Sequence, residues 1–305
     1  MNRILVVSGL SVIACLCCLV PTFLHAEDPV EVICGRTMDN GYRERAMAAQ
    51  RLSPALSSAE IQTLYDFLAS PVSAHPTLAT NELAGIKNDV LNALVGQQRL
   101  PDTLGQVLLD NYTNTGNDPM WRAFALQHFY QYYKRRWLRP PLGGGASNEF
   151  DALHNGMVSN LWLAASGTNE AFCCVALHVL DGIATTNGSV RPEQVSIAAA
   201  VVANDLSRSA GLRAHAMEIA SRLETREVLA EARKCAKSAD NVLLRHTAIR
   251  ALGLIGTPAD EKLLEELAQS DDPGVRAAAA DALAVYLDRH KKPHKPGCPC
   301  RHCRP

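Results

Sequence analysis

Three cysteines crowd into the last eight residues of this 305-residue chain: Cys298, Cys300 and Cys303, with His302 among them and His290 and His294 just upstream. Three thiolates in C-x-C-x-x-C spacing plus one imidazole can complete a tetrahedral zinc site or hold a soft ion such as Cu(I). In an oxidising compartment the same thiols close a disulfide within the tail or to another chain, so both readings stay open. The candidate metal ligands are therefore Cys298, Cys300, Cys303, His302 and His294, and no other cofactor is expected. Pro293 and Pro296 exclude a regular helix, so His290 and His294 do not share a helical face. With five basic residues and no acid, the tail over 290–305 reads as disordered.

A second unusual stretch runs from Trp121 to Gly145. It holds seven of the sixteen aromatics in the chain beside Lys134, Arg135, Arg136 and Arg139. Trp121, Ala125, Phe129 and Tyr132 follow a core-facing helical spacing. Tyr130, Tyr133 and Trp137 fall on other faces, so aromatic surface is expected there for a partner, a glycan or a membrane edge. The candidate partner-binding residues are Tyr130, Tyr133, Lys134, Arg135, Arg136 and Trp137. Pro140, Pro141 and Gly143 to Gly145 form an inserted loop, a common place for binding on repeat proteins.

Motifs for other chemistry are absent from the sequence. The chain has no GxxxxGK[ST] phosphate loop, no GxSxG elbow and no HExxH pair. His128, His178, His215 and His246 stand singly inside helical segments, where a histidine is ordinarily structural. No catalysis is expected. Thirty Lys plus Arg against thirty-one Asp plus Glu argue against a nucleic-acid binder, and 47% hydrophobic residues argue against general disorder.

Residues 1–26 read as a secretory signal peptide. Arg3 supplies the positive end, Ile4 to Leu24 carries no charge, and small Ala26 precedes an acidic start at Glu27. The uncharged run is also long enough to span a bilayer as an uncleaved anchor. Val12, Ile13, Ala14 and Cys15 resemble a lipobox, which would lipidate Cys15 and attach the chain to a membrane. Export to the periplasm or the extracellular space is the leading expectation. It leaves seven cysteines, of which Cys34 is a candidate disulfide partner for Cys173 or Cys174; buried thiols at both positions are the alternative.

The elements that must position these residues are helices. Past the leader the chain is rich in Ala and Leu with helical periodicity and almost no alternation of period two. Leu244, Arg245, Ala248, Ala251 and Leu252 recur 31 residues later as Val275, Arg276, Ala279, Ala282 and Leu283. The pattern recurs upstream at Leu212 and Arg213, at Phe172 and Cys173, at Trp121 and Arg122, and at Ile86 and Lys87. A second amphipathic segment precedes each copy, for example Ala59 to Leu68 and Ala259 to Ala268. A hairpin of this size cannot bury its apolar face alone, so neighbours must stack around a shared core. The expected fold is all-α: a right-handed α-solenoid of about six hairpins over 57–289, with second helices starting near 86, 121, 172, 212, 244 and 275, and a lead-in over 27–56.

Residues 240–289 resemble the HEAT-repeat family, specifically the short bacterial kind with an Asp-Pro-x-Val-Arg-x-x-Ala-x-x-Ala-Leu second helix. The resemblance fades upstream but extends over roughly 57–289. It implies a binding surface more than a chemistry. HEAT-like deoxyhypusine hydroxylases bind iron through His-Glu pairs, and no His here is followed by Glu, so that activity does not carry over. The recurring Lys87, Arg122, Arg213, Arg245 and Arg276 are expected to form the family's structural ladder, bonding turn carbonyls or an acid such as Asp118, Asp240 or Asp272. The rival reading is a basic row for an anionic ligand. Taken together, these features describe an exported interaction scaffold of the bacterial envelope with an unknown protein partner, the alternative being a metal-binding or redox protein that uses the tail.

Overall fold

The computed structural model describes residues 27–35, 40–137, 148–187 and 189–291. The leader over 1–26, the loop over 138–147 and the tail from 292 lie outside the described residues, and with them the signal-peptide, lipobox and metal-ligand expectations. The described residues contain fourteen α-helices and no strand. In chain order these are α1 (Pro29–Cys34), α2 (Tyr42–Gln50), α3 (Ser58–Ala69), α4 (Thr80–Gly96), α5 (Leu104–Thr113), α6 (Pro119–Trp137) and α7 (Asn148–Ser166). They continue as α8 (Glu170–Asn187), α9 (Pro192–Asn204), α10 (Ala210–Arg222), α11 (Leu229–Ser238), α12 (Val242–Ile255), α13 (Pro258–Leu267) and α14 (Pro273–Lys291).

Helix boundaries follow local chemistry. Five helices begin at a proline, Pro29, Pro119, Pro192, Pro258 and Pro273, where the missing N–H costs nothing and φ is already helical. Asp118 caps α6 by accepting from the backbone N–H groups of Met120 and Trp121. Asp272 does the same for α14 through Gly274 and Val275. Ser57 and Glu60 form a reciprocal capping box at α3.

Odd- and even-numbered helices pair as hairpins, and the even-numbered helices pack on one another in sequence from α2 to α14, giving a solenoid-like stack. The 27–56 lead-in is itself a hairpin, α1 with α2, whose α2 packs on α4 as later second helices pack on theirs. Its helices are short, six and nine residues, which weakens the periodic signal. The core is one continuous layer between the two rows of helices, and each fully buried Leu or Ile contributes about 1.5–3 kcal/mol. Gly253 lies inside α12, at its seam with α14. A Cβ there would lie 2.6 Å from the carbonyl oxygen of Ala282, so any side chain would push the two helices apart.

Candidate functional site

The basic ladder takes a uniform form. Arg122 Nε donates to the carbonyl of Tyr112 at 2.7 Å, Arg213 Nε to Ala203 at 3.1 Å, Arg245 Nε to Ala236 at 3.2 Å, and Arg276 Nη1 to Ser270 at 2.6 Å. In each hairpin the donor is the fourth residue of the second helix, and it reaches the C-terminal end of the first helix or, for Arg276, the turn just beyond α13. The carbonyls there have no partner inside their own helix and carry the negative end of its dipole. Backbone carbonyls take a bond from each of these arginines, and Arg213 Nη2 also pairs with the Glu231 carboxylate on α11, while Asp118 and Asp272 serve as helix caps.

Two rungs are chemically different. Cys173 occupies the arginine position of α8, and its thiol donates to the carbonyl of Ala165 at 3.1 Å from a fully buried site. Burial pushes this thiol up from its ordinary value, which makes it an inert structural group. Neither it nor Cys174 is joined to Cys34, which ends α1 in a distant hairpin. Lys87 sits one helical turn deeper in α4 than the arginines in their helices and donates to the carbonyl of Ser70 at 2.6 Å.

A further rung was missed in the sequence. Buried Arg45, the fourth residue of α2, donates to the carbonyls of Asn40 at 2.8 Å and Ile33 at 3.3 Å. Gly35, at φ +65°, leaves room for it, since a side chain there would collide with the guanidinium. Arg45 followed by Ala48 repeats the Arg-x-x-Ala spacing of Arg122, Arg213, Arg245 and Arg276, and that was the available signal.

Arg45 also orients a histidine. Its Nη1 donates to His75 Nδ1 at 3.0 Å, and His75 Nε2 lies 2.7 Å from Ser70 Oγ. A guanidinium can only donate, so Nδ1 is the acceptor and Nε2 carries the proton. Ser70 Oγ in turn donates to the carbonyl of Phe67 at 2.6 Å. The serine and histidine thus have their protons arranged the wrong way for nucleophile activation, and the partner behind the ring is a cation where catalysis would need an acid. Burial, then Arg45 and Lys87, hold His75 below its ordinary pKa.

Beside this network lies a cleft of about 330 Å³ between the α3–α4 connection and the α5–α6 loop. Ser70, Thr80, Lys87, Asn117, Asp118 and Trp121 are among its lining residues. Lys87 is only 3% exposed, and its ammonium stands 5.3 Å from the centre of the Trp121 ring. Burial lowers its pKa to about 8.

The aromatic segment is built largely into the interior, which corrects the expectation of free aromatic surface. Tyr133 is buried, with its hydroxyl 2.6 Å from Ser189 Oγ. Tyr130 is half-buried and packs against Gly182, where a Cβ would approach the tyrosine ring to 2.7 Å. Arg135 donates to the carbonyls of Val95 at 2.7 Å and Gln97 at 2.6 Å, clamping the end of α4. Arg136 lies 3.9 Å from Asp102, and Lys134 is exposed. The Trp137 side chain is outside the described residues. Helical spacing alone missed that neighbouring hairpins cover the second face of α6.

The four helical histidines are not gathered into one site. His128 is buried, with Nε2 3.1 Å from Asn88 Oδ1, and burial lowers its pKa to about 4. The rings of His178 and His215 lie 6.1 Å apart on α8 and α10. Among the described residues no group of three His, Cys, Asp or Glu side chains is placed to hold a metal ion.

The ladder and the stacked hairpins meet a known pattern in the C-terminal part. Residues 201–284 match the family model of HEAT repeats. This region spans α10, α11, α12 and α13 and most of α14, the part where the arginine rungs are regular. Upstream of the HEAT repeats, the rungs at Cys173 and Lys87 depart from arginine. A solved structure similar to this chain is that of human deoxyhypusine hydroxylase in complex with glycerol, 17% identical, covering 85% of this chain and 84% of that one with a TM-score of 0.34. No curated protein matches.

Proposed function

We propose that this protein is a non-catalytic protein-interaction scaffold, exported to the bacterial envelope. The observation that carries the reading is a set of large apolar side chains left in water on first helices. Ile197 and Val201, one turn apart on α9, are 58% and 66% exposed, and Leu163 on α7 is 69% exposed. These face away from the core while Val195, Ala199, Ala200 and Ala203 of α9 fill it. Ile197 and Val201 lie side by side on one face of α9, and adjacent exposed apolar side chains are what an interaction site on a soluble protein requires. The ladder arginines have donors engaged by carbonyls, and Arg213 is also paired with the Glu231 carboxylate, so fewer of their N–H groups are available to a polyanion. The uncharged run before Glu27 supports export.

The test is quantitative cross-linking in envelope fractions of an expressing bacterium, comparing wild type with the Ile197→Glu, Val201→Glu double variant. Loss of a specific cross-linked partner in the double variant, with Lys134→Ala unaffected, is the expected outcome. An unchanged cross-linking pattern in a variant that still folds would contradict the reading.

A further inference from the structure

The cleft beside α4 contains an unusual group: a lysine almost removed from water with no carboxylate paired to it. An ammonium carries three N–H donors. Lys87 uses one on the Ser70 carbonyl, and its other close neighbour is the face of Trp121. Burying a cation without a counter-charge is costly, and the cost falls when an anion arrives. The other rungs are arginines or a neutral thiol that meet helix ends without lining this cleft, so the arrangement is specific to Lys87.

We propose that this cleft binds a small monocarboxylate, whose carboxylate accepts the two N–H bonds that Lys87 leaves unused and whose apolar part lies against Pro71, Val72 and Trp121. The volume of about 330 Å³ is at the small end of ligand pockets and suits a compact molecule. Asp118 at the rim, its Oδ1 already capping α6, favours a single negative charge over a phosphate dianion. The other charged or titratable groups near Lys87 are Arg45 and His75. Both lie behind the Ser70 hydroxyl, and His75 is neutral there. This site is independent of the outer apolar surface invoked for the scaffold.

The test uses the full chain with ¹³C,¹⁵N-lysine, the Lys87 side-chain NMR signal being identified from its loss in Lys87→Met. Sodium benzoate and sodium isobutyrate are titrated at pH 7 and pH 9.5, with benzamide and inorganic phosphate as comparisons. The expected result is saturable movement of the Lys87 signal by the carboxylates and a Lys87 pKa raised by at least one unit at saturation. Benzoate affinity should fall at least about fivefold between pH 7 and pH 9.5, because the amine loses its proton over that interval. The pH dependence is read on wild type, so it stands even if Lys87→Met folds poorly. Absence of saturation, an unmoved Lys87 pKa, or equal binding of benzamide would overturn the proposal; tighter binding of phosphate would overturn the assignment to a carboxylate.

Discussion

The HEAT repeats over 201–284 and the hairpins upstream of them solve the same structural problem with different chemistry. In both, a side chain from the second helix satisfies carbonyls at the end of the first. In the HEAT region the group is an arginine, permanently charged, as at Arg213, Arg245 and Arg276. Upstream, Arg122 keeps that form, while the other rungs diversify to a thiol at Cys173, an amine at Lys87 and a guanidinium shared with a histidine at Arg45. The geometry requires a donor near one point in space; it does not require a particular donor. Where the donor can lose a proton or sits beside a group that can, the rung acquires a chemical sensitivity that arginine cannot supply.

The comparison can be broken most severely at Arg45. Replacing it with Met strands three acceptors in a buried site, and the expected loss is roughly 3–5 kcal/mol in the first hairpin, by analogy with removing one partner from a buried charged network. Urea unfolding followed by tryptophan fluorescence and circular dichroism should show α1 and α2 melting ahead of the remaining stack. A single unchanged transition would mean that Arg45 does not hold that hairpin.

At Cys173 the effect is smaller because the donor is weak. Cys173→Val removes it while nearly keeping the volume, leaving the Ala165 carbonyl short of a partner, and should cost about 1–2 kcal/mol. Cys173→Ser restores an O–H donor and should recover part of that loss in the same unfolding measurement. Equal stability of the two variants would show that the thiol acts only as apolar filling.

The titratable rungs separate from the arginine rungs by pH. His75 has a lowered pKa in the folded state, so its unfolded form binds protons first as the solution is acidified. Stability associated with neutral His75 is complete above about pH 6.5 and is lost as pH falls through the lowered value. Lys87 has the same sign in the alkaline range. Its pKa is about 8 when folded and near 10.5 when unfolded, so stability should rise as pH climbs between those values. Buried thiols and phenols such as Cys173, Cys235 and Tyr65, raised on folding, titrate with the opposite sign. The Lys87 contribution therefore shows as an alkaline rise in the urea midpoint of wild type relative to Lys87→Arg, with the acid limb in place in both. No such rise relative to the variant would contradict the assignment to Lys87.

Least is expected at Arg276, whose rung is solvent-exposed. Arg276→Met should change stability by less than about 1 kcal/mol. A loss comparable to Arg45→Met would erase the distinction between buried and exposed rungs.

Much of the fold was legible because α-helices with Arg-x-x-Ala spacing, starting prolines and Asp caps write their period into sequence. The 31-residue offset between Arg245 and Arg276 is a direct consequence of two helices and two turns per repeat. The first hairpin was read only as a lead-in, because α1 has six residues and offers too short a window for periodicity. The surfaces were harder to read. Tyr133 falls on what is an outer face of α6 taken alone, yet the tertiary stack covers it. Spacing places Lys87 with the arginines, because it shows the residue type and its rough register but not the cleft that opens beside it. Ile197 and Val201 look like ordinary helix residues until the burial of their neighbours shows which side of α9 faces water.

Amide hydrogen exchange on Arg45→Met, Cys173→Val and Arg276→Met, each against wild type, tests the central claim that every hairpin is fastened by its own rung. The account predicts that each substitution accelerates exchange chiefly in its own hairpin, α1–α2, α7–α8 or α13–α14, with the largest increase for Arg45 and the smallest for Arg276. Uniform acceleration along the whole stack, or none at the substituted hairpin, would contradict it.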